Sequence, residues 1–351
     1  MDKEQISDYF SERLKTARIM AGLSMEDLAQ KMGGIITKQA IGKYEKGQMK
    51  PGSEVLGSLA EALGVKPEFF LRRYTADLSH IEFRKDAKLL KKAQEILKYK
   101  TIEFLERYME LEHILGMTDV FHSPFKQYEV HNLEDAERAA RQVREDWDLG
   151  LSPIINILEL LEEKGIKVLE VDAEEDFDGL NARVGSAYVM VINKNFSKDH
   201  IRLTAAHELA HILCDIKDRE QLEKLCFAFA GAFLLPREVL EKELIQKRKQ
   251  ITLWELGQLK RIYGISLQAI LYRAVDLDII SQSHHSKLKK VFSHRGWKKK
   301  EPVEYIGEER SYRFMQLLNY AVAEKIVTFS KAAELANMAL PDFKDVVQVV
   351  V

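Results

Sequence analysis

The chain has 351 residues, enough for two or three domains, and its 46% hydrophobic and 31% charged residues are those of an ordinary soluble globular protein. A formal net charge of −2 excludes a protein that coats nucleic acid through bulk charge, so any DNA contact must come from a local patch. The opening MDKEQISDYF carries no secretory signal, no apolar run approaches the roughly 20 residues that span a bilayer, and two cysteines, Cys214 and Cys226, are too few for a disulfide framework; a cytoplasmic protein without membrane contact is expected.

In chain order, residues 7–70 read as short helices punctuated by Gly22, Gly33-Gly34, Gly47, Pro51, Gly64 and Pro67. A charge-laced helical stretch follows at 83–115, whose Lys and Glu runs suggest a solvated face, closed by a loop with Gly116, His122, Ser123 and Pro124. Helical pattern resumes at 133–147 and 153–164. GIKVLEVD (165–172) and AYVMVIN (187–193) are the clearest strands. Helices are expected at 199–214 and about 220–235, and the remainder is mostly helical, broken at 264–266 and 294–302.

HELAH at 207–211 is the most informative string. On a helix, His207 and His211 leave the same face four residues apart, a spacing that lets both imidazoles grip one zinc ion and leaves room for a water. Glu208 then stands where a general base would reach that water. Alanines at 205, 206 and 210 permit close packing. A third ligand should come from the next helix, with Glu220, Glu223, Asp215 and Asp218 as candidates. Glu223 is preferred, because it heads an apolar stripe (Cys226, Ala230, Phe233, Leu234) and a carboxylate there needs a compensating partner. Glu220 suits the helix start, and Cys214 and Cys226 suit small buried apolar sites.

The runs RLTAAHELAHIL and EKLCFAFAGAFLLP (223–236) resemble the ImmA/IrrE-type metallopeptidases, as do WDLG (147–150), FDGL (177–180) and the strand ending at Asn193. The resemblance covers about residues 131–240. It implies zinc ligands His207, His211 and Glu223, with Glu208 as catalytic base for amide hydrolysis. Phe227 departs from the pattern, standing where relatives often carry a polar residue. No oxyanion-stabilising side chain is identified, and His200 and Arg202 suit structural roles.

Near the N-terminus, Ser24-x-x-Asp27 forms a helix-capping box, Gly33-Gly34 a turn, and Lys38–Lys46 a second helix with Ile41 and Tyr44 facing inward. Pro51, Leu56, Leu59, Ala60 and Leu63 belong to a closing helix. This stretch resembles an XRE-type helix-turn-helix of the lambda-repressor class. The resemblance implies double-stranded operator DNA as partner, a homodimer, and Thr37, Lys38, Gln39 and Lys43 as groove-reading residues. Between residues 31 and 50 five lysines face one glutamate, net +4, a local basic footprint. Met25 replaces the glutamine that relatives often carry after the cap serine.

In the last third Trp254, Tyr263 and Tyr272 read as core, GISLQAI as a weak match to a second helix-turn-helix, residues 289–302 as a solvated loop, and His284-His285 as a loop pair. The expected architecture is α+β and mostly α: a five-helix domain (1–75), a helical linker (76–130), a zincin-like peptidase domain with a small sheet (131–245), and a helical region (246–351). Function is expected to be cleavage of a regulatory protein partner, a repressor or toxin–antitoxin component. The alternatives are a DNA-binding regulator or antitoxin that senses metal or partner without cleaving.

Overall fold

The computed structural model describes residues 3–72, 81–83, 91–117, 127–184, 187–245, 248–298 and 300–347, so the loop reading at His122, Ser123 and Pro124 lies outside the described residues. Two compact units emerge. The first takes Met1–Ile81, Lys88–Val120 and Phe314–Val351, and the second takes Glu82–Ala87 and Phe121–Arg313.

The chain begins with α1 (Lys3–Met20), α2 (Met25–Lys31), α3 (Lys38–Glu45), α4 (Ser53–Leu63) and a 3-10 turn at Pro67–Leu71, the five helical segments expected. Each boundary has a local cause. The Ser24 hydroxyl accepts from the Asp27 amide while the Asp27 carboxylate accepts from the Ser24 amide, closing the capping box. Gly64, at φ 66°, ends α4 in the left-handed conformation that favours glycine. Leu14, Leu28, Ile41, Leu59 and Phe70 are fully buried between these helices.

After β1 (Ile81–Phe83) comes α5 (Lys91–Ile114). The start of α5 has the solvated face expected, with Lys91, Lys92 and Glu95 exposed, but its later turns do not: Glu103, Glu106, Arg107 and Glu112 are all buried. Ion pairs accompany this burial. Arg13 meets Glu106 at 2.5 Å, Arg107 meets Glu103 at 2.8 Å, and Arg72 bridges to Glu110 at 2.9 Å.

In the second unit come β2 (Tyr128–Glu129), α6 (Leu133–Asp146), α7 (Ile157–Glu163), β3 (Ile166–Val171), β4 (Gly179–Val184), β5 (Ala187–Asn193), α8 (Lys198–Leu213), β6 (Cys214–Asp215), α9 (Leu222–Leu234), α10 (Arg237–Leu244), α11 (Leu253–Tyr263), α12 (Leu267–Asp276) and α13 (Gln282–His294). Four strands form one sheet in the order β1-β4-β5-β3, and β2 pairs with β6 in a second. β5 runs parallel to β3 and antiparallel to β4, with Leu180 opposite Val191 and Ala182 opposite Val189.

The strand just before the histidine helix is therefore central and not at a sheet edge. β5 is buried along nearly its whole length and lies between two neighbours, as its apolar character on both faces requires. The strand next to it is β4, which its sequence GLNARV hides because it alternates only weakly. Gly179 lets β4 approach closely: a Cβ there would come within 2.8 Å of the Thr204 side chain on α8.

α8 is buried nearly all round, with Ala205, Ala206 and Ala210 at zero exposure. Arg202, also fully buried, pairs with Glu309 and donates to the Ile154 and Tyr263 carbonyls, anchoring the segment after α13. The last helices, α14 (Arg313–Ala323), α15 (Phe329–Leu335) and α16 (Leu340–Val346), bring the chain back to the first unit. There Arg107 donates to the Leu335 carbonyl at 2.6 Å, Lys66 to the Ala333 carbonyl at 3.2 Å, and Phe314 packs on Phe104 and Tyr108.

Three aromatic and histidine readings change. Trp254 is 70% exposed, because α11 turns Leu256, Leu259 and Tyr263 inward and leaves it outside, and Tyr272 on α12 is also exposed. His284 and His285 sit on α13, where His285 is buried against Tyr272 at 4.7 Å. Residues 289–294 of the supposed loop belong to α13, with Phe292 in the core and Trp297 packed edge-on against it.

Candidate metal centre

Two helices build the site. α8 presents His207 and His211 one turn apart, and α9 brings Glu223 from its first turn. The two Nε2 atoms face each other at 2.9 Å. Glu223 spans both, with Oε2 at 3.2 Å from His207 Nε2 and Oε1 at 3.7 Å from His211 Nε2. Both imidazoles are nearly buried, whereas the Glu223 side chain is 58% exposed, so the cluster opens to solvent on the carboxylate side.

Glu208 stands in the same cluster: one ligand atom from each of His207, Glu208 and His211 lies within 4.8 Å of the others. Geometry separates the two carboxylates. Glu223 sets one oxygen toward each imidazole, while Oε2 of Glu208 accepts the side-chain amide of Asn181 at 2.6 Å. Two imidazole nitrogens with carboxylate oxygens close to them are the kinds of donor that zinc takes.

Residues around the histidines set their orientation. The Cys226 sulfur, buried on α9, lies 3.0 Å from His211 Nδ1. Phe227 stacks against the His207 ring at 4.1 Å between centroids, so the departing residue forms one wall of the site. His207 Nδ1 is buried without a hydrogen-bond partner among the described residues. Cys214 lies nearby in sequence but is a buried thiol, pushed up to about 12 by burial.

Asn181 and the Cys226 contact escaped sequence reasoning. The one signal for Asn181 was its place in a strand that was itself hard to see. Asn193, fully buried, holds the approach to that strand: its amide donates to the Ala173, Glu174 and Phe177 carbonyls. Among the other candidates, Asp215 pairs with Lys217, and Asp218 accepts from the Glu220 amide.

In the first unit, Thr37 caps α3 by accepting from the Ala40 amide at 3.2 Å. Lys38, Gln39 and Lys43 are exposed on α3, and Lys38 reaches Glu26 at 3.5 Å. Lys31, Lys46 and Lys50 are exposed as well, while Glu45, the lone acid of the stretch, is held by Arg18 at 2.6 Å. That pairing holds the acid inward, beneath lysines that are exposed. Met25 packs against the domain core, within reach of Gly42.

Comparison with known proteins agrees with both halves. The helix-turn-helix family model matches residues 14–70, and the model of a peptidase family described as IrrE N-terminal-like domain matches residues 161–275. Over 81 residues the chain is 37% identical to the SPbeta prophage-derived HTH-type transcriptional regulator YonR of Bacillus subtilis, covering 23% of this chain and 73% of that protein. HTH-type transcriptional regulators of Sinorhizobium medicae and Rhizobium meliloti are each 35% identical over 72 residues, covering 20% of this chain and 50% of theirs. The chain belongs to the helix-turn-helix regulator family through its N-terminal domain, to which an IrrE-like domain is fused. Among the described residues no helix is long and apolar enough to cross a membrane.

Proposed function

We propose that the chain is a DNA-binding regulator whose IrrE-like domain is a zinc-dependent peptidase acting on a protein partner, a repressor or a toxin–antitoxin component. The observation that carries this reading is the convergence of His207, His211 and Glu223, with Glu208 held beside them by Asn181. His207, His211 and Glu223 would hold the zinc. When bound, zinc supplies a Lewis acid that polarises a carbonyl and lowers the pKa of water. Glu208 would take a proton from the attacking water and return it to the leaving amide nitrogen. Asn181 keeps the Glu208 carboxylate oriented, and Phe227 shields one face of His207 from water.

The first unit would read operator DNA as a homodimer, with the N-terminal residues of α3 entering the major groove. Metal analysis joined to a Glu208→Gln variant tests the proposal. About one zinc per chain is expected in both proteins, with partner cleavage lost only in the variant. The names of the similar regulators favour a second reading, in which the metal site senses zinc or a partner and regulates transcription without cleavage. Unchanged operator control in the Glu208→Gln variant would favour that reading.

A further inference from the structure

The sheet of the second unit has an occupant at its edge that the proposed function leaves unused. β4 is the strand that carries Asn181 to Glu208, and the neighbour on its outer side is β1, only three residues long. β1 lies in sequence between the helix-turn-helix domain and α5. The division between the two compact units falls inside it, between Ile81 and Glu82.

A peptidase takes its substrate as an extended strand beside its catalytic groups, and main-chain hydrogen bonds to a sheet edge supply the affinity whatever the side chains are. Here the edge next to the candidate base is already filled by the chain's own interdomain connection. A tethered segment competes at an effective concentration on the order of millimolar, well above that of a dilute partner. Three residues is the short extreme for a strand, so few main-chain bonds hold it. β1 thus combines extended backbone, a place beside the strand that carries Asn181, and few main-chain bonds to hold it.

Resting on the peptidase reading above, we propose that the first substrate of the site is the chain itself, cleaved in cis at Ile81–Phe83. One peptide C–N bond in this segment breaks. The hydroxyl of one water joins the carbonyl carbon, leaving a carboxylic acid, and the other proton passes through Glu208 to the nitrogen, leaving an amine. No oxidant or reductant is required. The substrate class is an extended segment recognised through its main chain, and the cut frees the β4 edge for a partner's strand. α1 and α5 lie on opposite sides of the cut yet share the buried Arg13–Glu106 pair, so the fragments stay associated until denatured.

The test uses the full-length chain, prepared metal-free, given one equivalent of zinc and followed by intact mass under denaturing conditions. Two fragments whose masses place the cut within residues 81–83 are expected, formed at a rate independent of protein concentration. Glu208→Gln should stay intact. A variant carrying both Ile81→Pro and Glu82→Pro should bind zinc normally yet be cut at least about 100-fold more slowly, since proline cannot donate a main-chain hydrogen bond and alternate residues of a strand face its neighbour. A chain that cleaves a partner while remaining whole overturns the proposal and leaves the peptidase reading standing. A zinc-loaded chain that cuts neither itself nor a partner defeats both. A cut that persists in Glu208→Gln, falls elsewhere, or accelerates with concentration also overturns it.

Discussion

The Cys226 sulfur sits 3.0 Å from Nδ1 of His211, on the side of the ring away from the Nε2 that faces Glu223. With Nε2 given to a metal, the ring proton belongs on Nδ1, and the sulfur is the acceptor that holds it there. Partners of this kind tune metal affinity by about 10- to 100-fold, so Cys226→Ala should weaken zinc binding by that factor in competition with a chelator. Cys226→Ser, which retains an acceptor, should recover most of it. Wild-type affinity in the alanine variant would show that the contact is packing alone.

Asn181 makes the corresponding contact to the base. Asn181→Ala should keep the zinc content of the parent but lower turnover of a cleaved substrate by about 10- to 100-fold, the usual cost of losing such an orienting partner. Loss of zinc in this variant would move Asn181 from orienting the base to building the centre.

The buried pair Arg13–Glu106 joins α1 to α5 with both side chains almost wholly enclosed. Arg13→Met strands a carboxylate and should cost about 3–5 kcal/mol of stability, whereas adding Glu106→Leu should recover most of the loss. Denaturant unfolding of the single and double variants measures both steps. A double variant no more stable than the single would argue against the pair as the cause.

Asp27 carries a pH signature. The hydrogen bond from the Ser24 amide, then that involving the Ser24 hydroxyl, holds its carboxyl below the ordinary aspartate value of 3.8. A depressed carboxylate adds stability above 3.8 that disappears as pH falls through the lower folded value. The difference in melting temperature between the parent and Asp27→Asn should therefore shrink as the pH drops below 3.8. A difference that stays constant from pH 6 to pH 2.5 (on the order of the range where carboxylates titrate) would remove the cap from the explanation.

On α3, Gln39→Ala and Lys43→Ala should each weaken specific DNA binding by about 1–3 kcal/mol. Thr37→Ala should instead cost about 1 kcal/mol of folding stability through its lost cap. Titrations against the duplex upstream of the protein's own gene and against random duplex separate the two effects. Equal affinity for both duplexes across a range of salt would leave only nonspecific contacts.

Much of the site was legible because it is local. The i, i+4 spacing puts His207 and His211 on one helical face whatever surrounds them, and the Ser24–Asp27 box needs only one turn of backbone. The strands at 166–171 and 187–193 announced themselves by β-branched runs, and Glu223 by its place at the head of an apolar stripe. Tertiary structure alone decided the rest. Asn181 meets Glu208 across 27 residues, Cys226 meets His211 across 15, and Arg13 meets Glu106 across 93. These pairings depend on how separate elements pack, which no local period records. The same reason explains why the charges of α5 went inside while Trp254 stayed out: a carboxylate is buried where another helix supplies a guanidinium, and an indole is exposed where its helix turns other residues to the core.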